Sequence, residues 1–229
     1  AAISSVPPIY WKFSDDQIAA YYSDLVQAAG IPMIVYNVTL AGLVSYEMLL
    51  RLGRIEGVEG IKYTSSTVFD IFRIKEALGQ DFAVYSGSDE LAVSGLAFGA
   101  DGIIGSTYNV LTPLFLKLNA QMAAGDVIAA RETQKIANKL IFALLARGLM
   151  PSLKATLTLG GRVDGGISRR PFFQLTEEQH EALKAEYRTI KAAHGDLGLD
   201  FLKAQFQSSF ITSGARTRLI PCACAFHFE

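Results

Sequence analysis

Lys62 is the residue of this sequence that is best placed to act as a nucleophile. It lies in the run Gly60-Ile61-Lys62-Tyr63-Thr64, a short β-type segment that opens into serines and threonines. Burial disfavours the charged form of a lysine, and the free amine that results can attack a ketone to form a Schiff base. The alternative is a lysine at a strand end whose ammonium group lies in water. The rest of the chain favours the nucleophile.

Polar side chains recur at the carboxyl ends of the segments that are predicted to be strands. These residues are Tyr36 and Asn37, Lys62 and Thr64, Ser86 to Glu90, and Ser106 to Asn109. In a parallel α/β fold the carboxyl ends of the strands form the active face. Singly, Tyr36 is typical of a rim aromatic residue, and Thr64 of a residue that begins a helix. Asp89 with Glu90 is typical of an acidic first helical turn. Their recurrence in unit after unit predicts one site at this edge.

Apolar patterning predicts the strands that would hold these side chains in place. The predicted strands cover residues 2–6, 33–38, 82–85 and 102–105, and one further strand ends at Lys62. A helix is predicted after each strand, and only helices are predicted beyond the fifth unit. Five such units with right-handed crossovers predict a parallel sheet whose faces are covered or which closes on itself.

Capping residues predict where several of the helices begin. A serine or threonine followed three residues later by glutamine forms a capping box, as in Ser14 with Gln17 and Thr176 with Gln179. Thr112 and Pro113 form a favoured N-cap and first-turn pair, which predicts another helix start.

Composition and charge narrow the class of protein. The 229 residues are 50% hydrophobic and 19% charged, which is typical of a globular chain with one large core. The formal net charge is −1 and no basic block stands out, so neither a nucleic acid nor an anionic membrane is indicated as a partner. No apolar stretch reaches membrane-spanning length, and no signal-peptide pattern is visible. We therefore expect a cytoplasmic enzyme of one domain.

The two cysteines, Cys222 and Cys224, both lie in the last eight residues. They exclude a disulfide framework for the core and favour a reducing compartment. Together with His227 they spell Cys-x-Cys-x-x-His, but a zinc site needs a fourth ligand and a defined fold. An exposed tail with free thiols is the favoured interpretation.

The sequence resembles the pyruvate-dependent class I aldolases, a family of TIM (β/α)8 barrels that includes N-acetylneuraminate lyase and dihydrodipicolinate synthase. Residues 34–38 resemble the tyrosine strand of the family, residues 60–64 its Schiff-base strand, and residues 99–109 its last barrel strand. The resemblance runs from about residue 3 to about residue 173, and more weakly to residue 194. Gly87-Ser88-Asp89-Glu90 and Gly105-Ser106-Thr107-Tyr108-Asn109 resemble motifs of the sialic acid lyase branch.

The resemblance implies an aldol cleavage of N-acetylneuraminate to N-acetylmannosamine and pyruvate. Lys62 would form the pyruvate imine, the Tyr36 phenol would act as the proton shuttle, and Thr64 would support the substrate. The hydroxyl groups of the sugar chain would be held by Gly87 through its backbone and by Asp89, Glu90 and Ser106. The implied substrates are small 2-keto sugar acids and pyruvate, no metal or diffusible cofactor is needed, and a homo-oligomer, a homotetramer in the family, is expected.

The chain also departs from the family pattern. Thr39 stands where the family usually has proline, and the sequence begins at what resembles strand four. We therefore expect an incomplete barrel of about five β/α units with C-terminal helices in residues 1–202, followed by an atypical tail in residues 203–229. An incomplete barrel leaves sheet edges without hydrogen-bond partners, so we expect copies of the chain to associate. The missing strands would carry the loop that binds the pyruvate carboxylate in the family.

Two alternatives to the lyase stay open. One is a dihydrodipicolinate synthase or another 2-keto-3-deoxy sugar-acid aldolase, although Asp89 and Glu90 argue against the synthase. The other is a weakly active or inactive paralogue that serves as an assembly or regulatory subunit, which the missing strands favour.

Overall fold

The computed structural model describes residues 1–204, in which strands and helices alternate before a helical segment. The strands are β1 (Ile3–Ser5), β2 (Met33–Val38), β3 (Val58–Thr64), β4 (Ala83–Ser86) and β5 (Gly102–Ile103). The helices are α1 (Asp15–Ala29), α2 (Tyr46–Gly53), α3 (Phe69–Leu78), α4 (Ala92–Ala97), α5 (Tyr108–Ala123), α6 (Val127–Leu145), α7 (Leu149–Leu159), α8 (Glu177–His194) and α9 (Asp200–Lys203). Short 3₁₀ helices cover Thr39–Ala41 and Asp89–Leu91.

The strands form one parallel sheet in the order β1-β2-β3-β4-β5. Each strand lies beside its successor in the chain, and within residues 1–204 the sheet edges are β1 and β5. Tyr36 of β2 lies opposite Lys62 of β3, and Lys62 in turn lies opposite Tyr85 of β4. The predicted α/β class with five β/α units is confirmed.

Within the described part of the chain, residues 1–105 form one compact unit and residues 106–204 form another. The sheet belongs to the first unit. Along β2, residues with buried side chains alternate with residues that are half-buried, so Met33 and Val35 enter the core while Tyr36 lies on the opposite face. Leu52 and Ile71 from the covering helices are fully buried in the same core, and each contributes about 1.5–3 kcal/mol through apolar burial.

An ion pair between a buried lysine and an exposed aspartate fixes the amino-terminal ends of β4 and β5. Lys75, near the end of α3, places its Nζ 2.8 and 2.9 Å from the two carboxylate oxygens of Asp101. The same Nζ donates to the carbonyl oxygens of Gln80 at 2.6 Å and Phe82 at 3.2 Å, and Asp101 also accepts from the Val84 N–H at 2.7 Å. The pair therefore ties α3 to β4 and to the start of β5.

The second unit packs α5 against α6 and α7, and α8 against α6 and α9. No single helix within residues 1–204 is long and apolar enough to cross a membrane. By length and composition alone, α6 and α7 together could, although the two helices are bent by 112° relative to each other. Leu118, Leu140 and Tyr187 are fully buried within this unit.

Both predicted capping boxes are present. The Ser14 and Thr176 side chains accept the N–H of Gln17 and Gln179 at 3.3 and 3.2 Å, and each glutamine Oε1 accepts the N-cap N–H at 2.9 Å. At the other end of α1, Gly30 adopts the left-handed conformation (φ 63°) that ends the helix.

The prediction that a helix begins at Thr112-Pro113 is wrong. The helix α5 begins five residues earlier, after Thr107, and Pro113 lies inside it. The ring of Pro113 removes one backbone N–H from the helix, and the Thr112 hydroxyl donates to the Tyr108 carbonyl one turn earlier. Buried side chains on the first turn, Tyr108 and Leu111 among them, hold this turn in the helix despite the proline.

Two further sequence-based predictions concern the end of β3 and the cysteines near the end of the sequence. Lys62 is not the last residue of its strand, because β3 continues to Thr64. Cys222, Cys224 and His227, and with them the zinc alternative and almost all of the expected tail, lie outside the described residues.

Candidate active site

Lys62 and Tyr36 face each other across two neighbouring parallel strands. The register of β2 and β3 places them side by side, and adjacent residues on paired strands project from the same face of the sheet. The Lys62 Nζ lies 4.0 Å from the centroid of the Tyr36 ring, within the range of a cation–π contact. The structure therefore brings together the predicted nucleophile and the predicted proton shuttle.

Thr64 lies two residues beyond Lys62 on the same strand, and therefore on the same face. Its Oγ1 is buried and has no hydrogen-bond partner within residues 1–204. A buried hydroxyl group without a partner destabilises a fold by about 1–3 kcal/mol. The arrangement leaves this hydroxyl able to donate to, or accept from, a ligand beside Lys62.

Gly87 follows β4, and because it has no side chain its backbone lies close to the side chains of Lys62 and Thr64. Its N–H donates to the Tyr63 carbonyl at 2.8 Å, which continues the pairing of β3 with β4. A Cβ at this position would overlap the Thr64 Oγ1 and would lie only 3.0 Å from the Lys62 Cε. Only glycine allows the backbone this close, so Gly87 belongs with Lys62 and Thr64.

Asp89 and Glu90 open the short helix Asp89–Leu91 that follows. The Asp89 side chain is buried, and a Cβ at Gly105 would overlap its carboxylate, so the carboxylate lies against the exit of β5. Glu90 is half-exposed. The structure thus places Asp89 between the ends of two neighbouring strands, with Gly105 as a contact that the sequence did not single out.

Ser106 is the first residue of the second unit and is exposed. Its carbonyl accepts from the Asn109 Nδ2 at 2.8 Å, which fixes the start of α5. The role of Ser106 in the site stays a prediction. Asn37, another polar residue at a strand end, is buried and accepts the Val44 N–H at 3.1 Å, so it holds the β2–α2 loop.

Two further features of the described residues concern other ligands. Within residues 1–204 there is no group of three or more His, Cys, Asp or Glu side chains placed to hold a metal ion. A cavity of about 350 Å³ lies in the second unit, between α5, α7 and the residues before α9. Of the polar residues predicted for the site, Asn109 lines this cavity, whereas Lys62, Tyr36 and Thr64 do not.

A parallel β/α sheet that presents a lysine against a tyrosine at the carboxyl ends of neighbouring strands has the architecture of a class I aldolase or lyase. Residues 1–192 match the sequence profile of the dihydrodipicolinate synthetase family. The chain belongs to this family, whose members are class I aldolases and lyases with the TIM-barrel fold.

Two of the similar proteins carry the name N-acetylneuraminate lyase. The N-acetylneuraminate lyase of Rhizobium meliloti (strain 1021) is 40% identical over 193 residues, which cover 83% of this chain and 64% of that protein. The N-acetylneuraminate lyase of Salmonella typhi is 35% identical over 187 residues, which cover 80% of this chain and 63% of that protein.

Two solved structures share the fold of this chain. The sialic acid aldolase of Ruminococcus gnavus has a TM-score of 0.79 and 30% identity, with 84% of this chain and 65% of that chain covered. A dihydrodipicolinate synthase from Bacillus anthracis has a TM-score of 0.74 and 27% identity, with 81% and 64% covered. The chain therefore spans slightly less than two thirds of the length of these relatives.

Proposed function

We propose that this chain carries the Schiff-base half of a sialic acid lyase, the enzyme that reversibly cleaves N-acetylneuraminate to N-acetylmannosamine and pyruvate. The observation that carries the proposal is the Lys62 Nζ at 4.0 Å from the Tyr36 ring, in a chain that is 40% identical to an N-acetylneuraminate lyase.

Lys62 and Tyr36 would have different roles in the cleavage reaction. The Lys62 amine adds to the keto carbon of the substrate, and loss of water forms a protonated imine. A base then takes the proton of the hydroxyl group on the carbon that becomes the aldehyde, the carbon–carbon bond breaks, and its electron pair moves into the imine to form an enamine. We assign this proton transfer to Tyr36, which lies beside the nucleophile: its oxygen accepts the proton while its own hydroxyl proton passes to the substrate carboxylate. Protonation of the enamine and hydrolysis release pyruvate and restore Lys62.

The polar groups around this pair would hold the substrate. Thr64 offers a buried hydroxyl without a partner in residues 1–204, and we assign the backbone of Gly87, which lies beside it, to the sugar chain. Carboxylates such as Asp89 and Glu90 accept hydrogen bonds from sugar hydroxyl groups, and we assign Ser106 to the same part of the site.

Dihydrodipicolinate synthase is the second candidate, because a structure with that name shares the fold at 27% identity. A carboxylate pair at the mouth of the site repels the second carboxylate of a dicarboxylic product. Since Asp89 and Glu90 both follow β4, we favour a polyol substrate. We further propose that the protein acts in the cytoplasm as a homo-oligomer.

Reductive trapping tests the nucleophile directly. The chain is incubated with pyruvate and borohydride, and the adduct is located by peptide mass. We expect it on Lys62, lost in Lys62→Met and kept in Lys12→Met, a matched control at an exposed lysine of the same unit. An adduct on Lys12, Lys117 or Lys154 would contradict the assignment, and the absence of any adduct would favour the assembly or regulatory subunit.

The substrate is tested separately by kinetics. We expect a higher kcat/KM for cleavage of N-acetylneuraminate than for condensation of pyruvate with aspartate semialdehyde. The opposite order would favour the synthase.

A further inference from the structure

The reverse face of β3 carries a chain of hydrogen bonds that the proposed chemistry does not use. Tyr63 lies between Lys62 and Thr64, and because side chains alternate along a strand it projects from the opposite face, into the core. Its Oη lies 2.9 Å from Asp70 Oδ2 and 2.7 Å from Thr67 Oγ1. Thr67 Oγ1 in turn lies 2.9 Å from Ser65 Oγ. We call these four side chains, Ser65, Thr67, Tyr63 and Asp70, the hydroxyl chain.

The direction of each bond follows from the acceptor at its end. A carboxylate can only accept, so Tyr63 gives its single proton to Asp70. Thr67 must therefore donate to Tyr63, and Ser65 must donate to Thr67. The Thr67 N–H closes the series by donating to Ser65 Oγ at 3.3 Å. Burial raises the pKa of Tyr63 above its ordinary value, which keeps its hydroxyl a donor at neutral pH.

Both ends of the hydroxyl chain are fixed. Asp70 lies in the first turn of α3, and its other oxygen accepts from Arg73 at 2.7 Å. Ser65 is buried directly after the last residue of β3. Hydrogen bonds in series with one direction polarise one another. The hydroxyl chain therefore connects the carboxyl end of β3 and the loop of residues 65–68 to the start of α3.

The anchor acts on the backbone of β3, which carries the reactive side chains. Within residues 1–204 the Lys62 ammonium has no hydrogen-bond partner, and its recorded contact is the Tyr36 ring. The strand is paired with β2 as far as Thr64 and with β4 as far as Tyr63, whose carbonyl also accepts the Gly87 N–H. The places of Lys62 and Thr64 thus depend on the backbone that flanks Tyr63.

We propose that the hydroxyl chain positions Lys62 and Thr64 for reaction with a keto acid, with Tyr63, Thr67 and Asp70 as positioning residues. The proposal rests on the proposed function only for the identity of the nucleophile. It predicts that deleting a hydroxyl group on the helix-covered face changes the reactivity of a lysine on the other face.

Two substitutions at Thr67 separate the hydroxyl group from the shape of the side chain. Thr67→Val keeps the shape and removes the hydroxyl, whereas Thr67→Ser keeps the hydroxyl. Tyr63→Phe removes the central link. Tyr187→Phe is the matched control, because this buried tyrosine of the second unit also loses a hydrogen bond, at 2.6 Å from Thr156.

The first measurement does not depend on catalysis. The whole chain is treated with trace acetic anhydride across a range of pH, and the rate of labelling at Lys62 is measured against Lys12 by peptide mass. We expect Thr67→Val and Tyr63→Phe to change this ratio and its pH profile, and Thr67→Ser and Tyr187→Phe to preserve both. An unchanged ratio in Thr67→Val and Tyr63→Phe overturns the proposal, and so does an equal change in Tyr187→Phe, which would mark a general loss of stability.

The second measurement is the rate of pyruvate imine formation. A displacement of reacting atoms by about 1 Å can slow a reaction by about 100-fold, and we expect a loss of at least about tenfold in Thr67→Val and Tyr63→Phe. If the unaltered chain forms no adduct at Lys62, the proposed function fails. The labelling ratio still decides the positioning role in that case.

Discussion

Gly87→Ala tests the close approach of the backbone to Lys62. The φ angle of Gly87 lies outside the left-handed region, so alanine meets no backbone strain there and the added Cβ is the whole perturbation. That Cβ would lie 3.0 Å from the Lys62 Cε and would overlap the Thr64 Oγ1. Carbon atoms pack best at about 3.5–4.0 Å, so Lys62 must retreat by roughly 0.5–1 Å.

The backbone cannot readily relieve this contact, because the Gly87 N–H is bound to the Tyr63 carbonyl at 2.8 Å. Rotation of Thr64 removes one overlap but moves its hydroxyl group away from the site. A displacement of this size lowers the rate of a positioned reaction by about 10- to 100-fold. We therefore expect imine formation with pyruvate to slow by that factor.

The assay is the rate of borohydride-trapped adduct at Lys62 at several pyruvate concentrations, together with urea unfolding of each variant. Gly102→Ala is the matched control in the same sheet, where the nearest atom to an added Cβ is the Tyr85 ring edge at 3.3 Å. We expect it to form the imine at the parental rate. If Gly87→Ala forms the trapped adduct as fast as Gly102→Ala, the reasoning is refuted.

Three further predictions concern the proton shuttle, the ion pair between Lys75 and Asp101, and the substrate contact. Tyr36→Phe should keep imine formation and lose about 100- to 10,000-fold in cleavage rate, measured by pyruvate release; unchanged turnover would move the shuttle elsewhere. Asp101→Ala should lower the free energy of unfolding by about 1–3 kcal/mol, because the buried Lys75 ammonium loses its charged partner and keeps only two carbonyl acceptors. Asp16→Ala, which removes an exposed pair, should change it by less than about 1 kcal/mol, and equal urea midpoints would contradict this. Glu90→Gln should lower kcat/KM for N-acetylneuraminate and leave imine formation with pyruvate intact, and an unchanged kcat/KM would remove Glu90 from the site.

Local sequence patterns correctly predicted several helix starts and strands. Both capping boxes begin helices as expected, and β2 covers the predicted residues 33–38. These features depend on side chains within a few residues of one another, so the sequence alone displays them. The pairing of Tyr36 with Lys62 was also within reach, because both lie near the carboxyl ends of consecutive parallel strands.

Signals that depend on distant contacts were misread or missed. Thr112-Pro113 is typical of a helix start, yet burial of the preceding turn overrides that local preference. The contact of Asp89 with Gly105 joins the ends of two strands, and no pattern within either strand displays it. The hydroxyl chain does leave a trace, since Tyr63, Ser65, Thr67 and Asp70 lie within eight consecutive residues, but only the turn before α3 brings them into hydrogen-bonding distance.

The alternation of side chains along β3 explains how one short strand serves both chemistry and structure. Lys62 and Thr64 project toward Tyr36 and Gly87, whereas Tyr63, between them, projects toward α3 and is held there by Asp70. A shift of β3 by one residue would exchange these two sets between the faces. The register that places Lys62 beside Tyr36 is therefore the same register that places the Tyr63 hydroxyl beside Asp70, so the core packing on one face and the reactive lysine on the other stabilise a single arrangement of the strand.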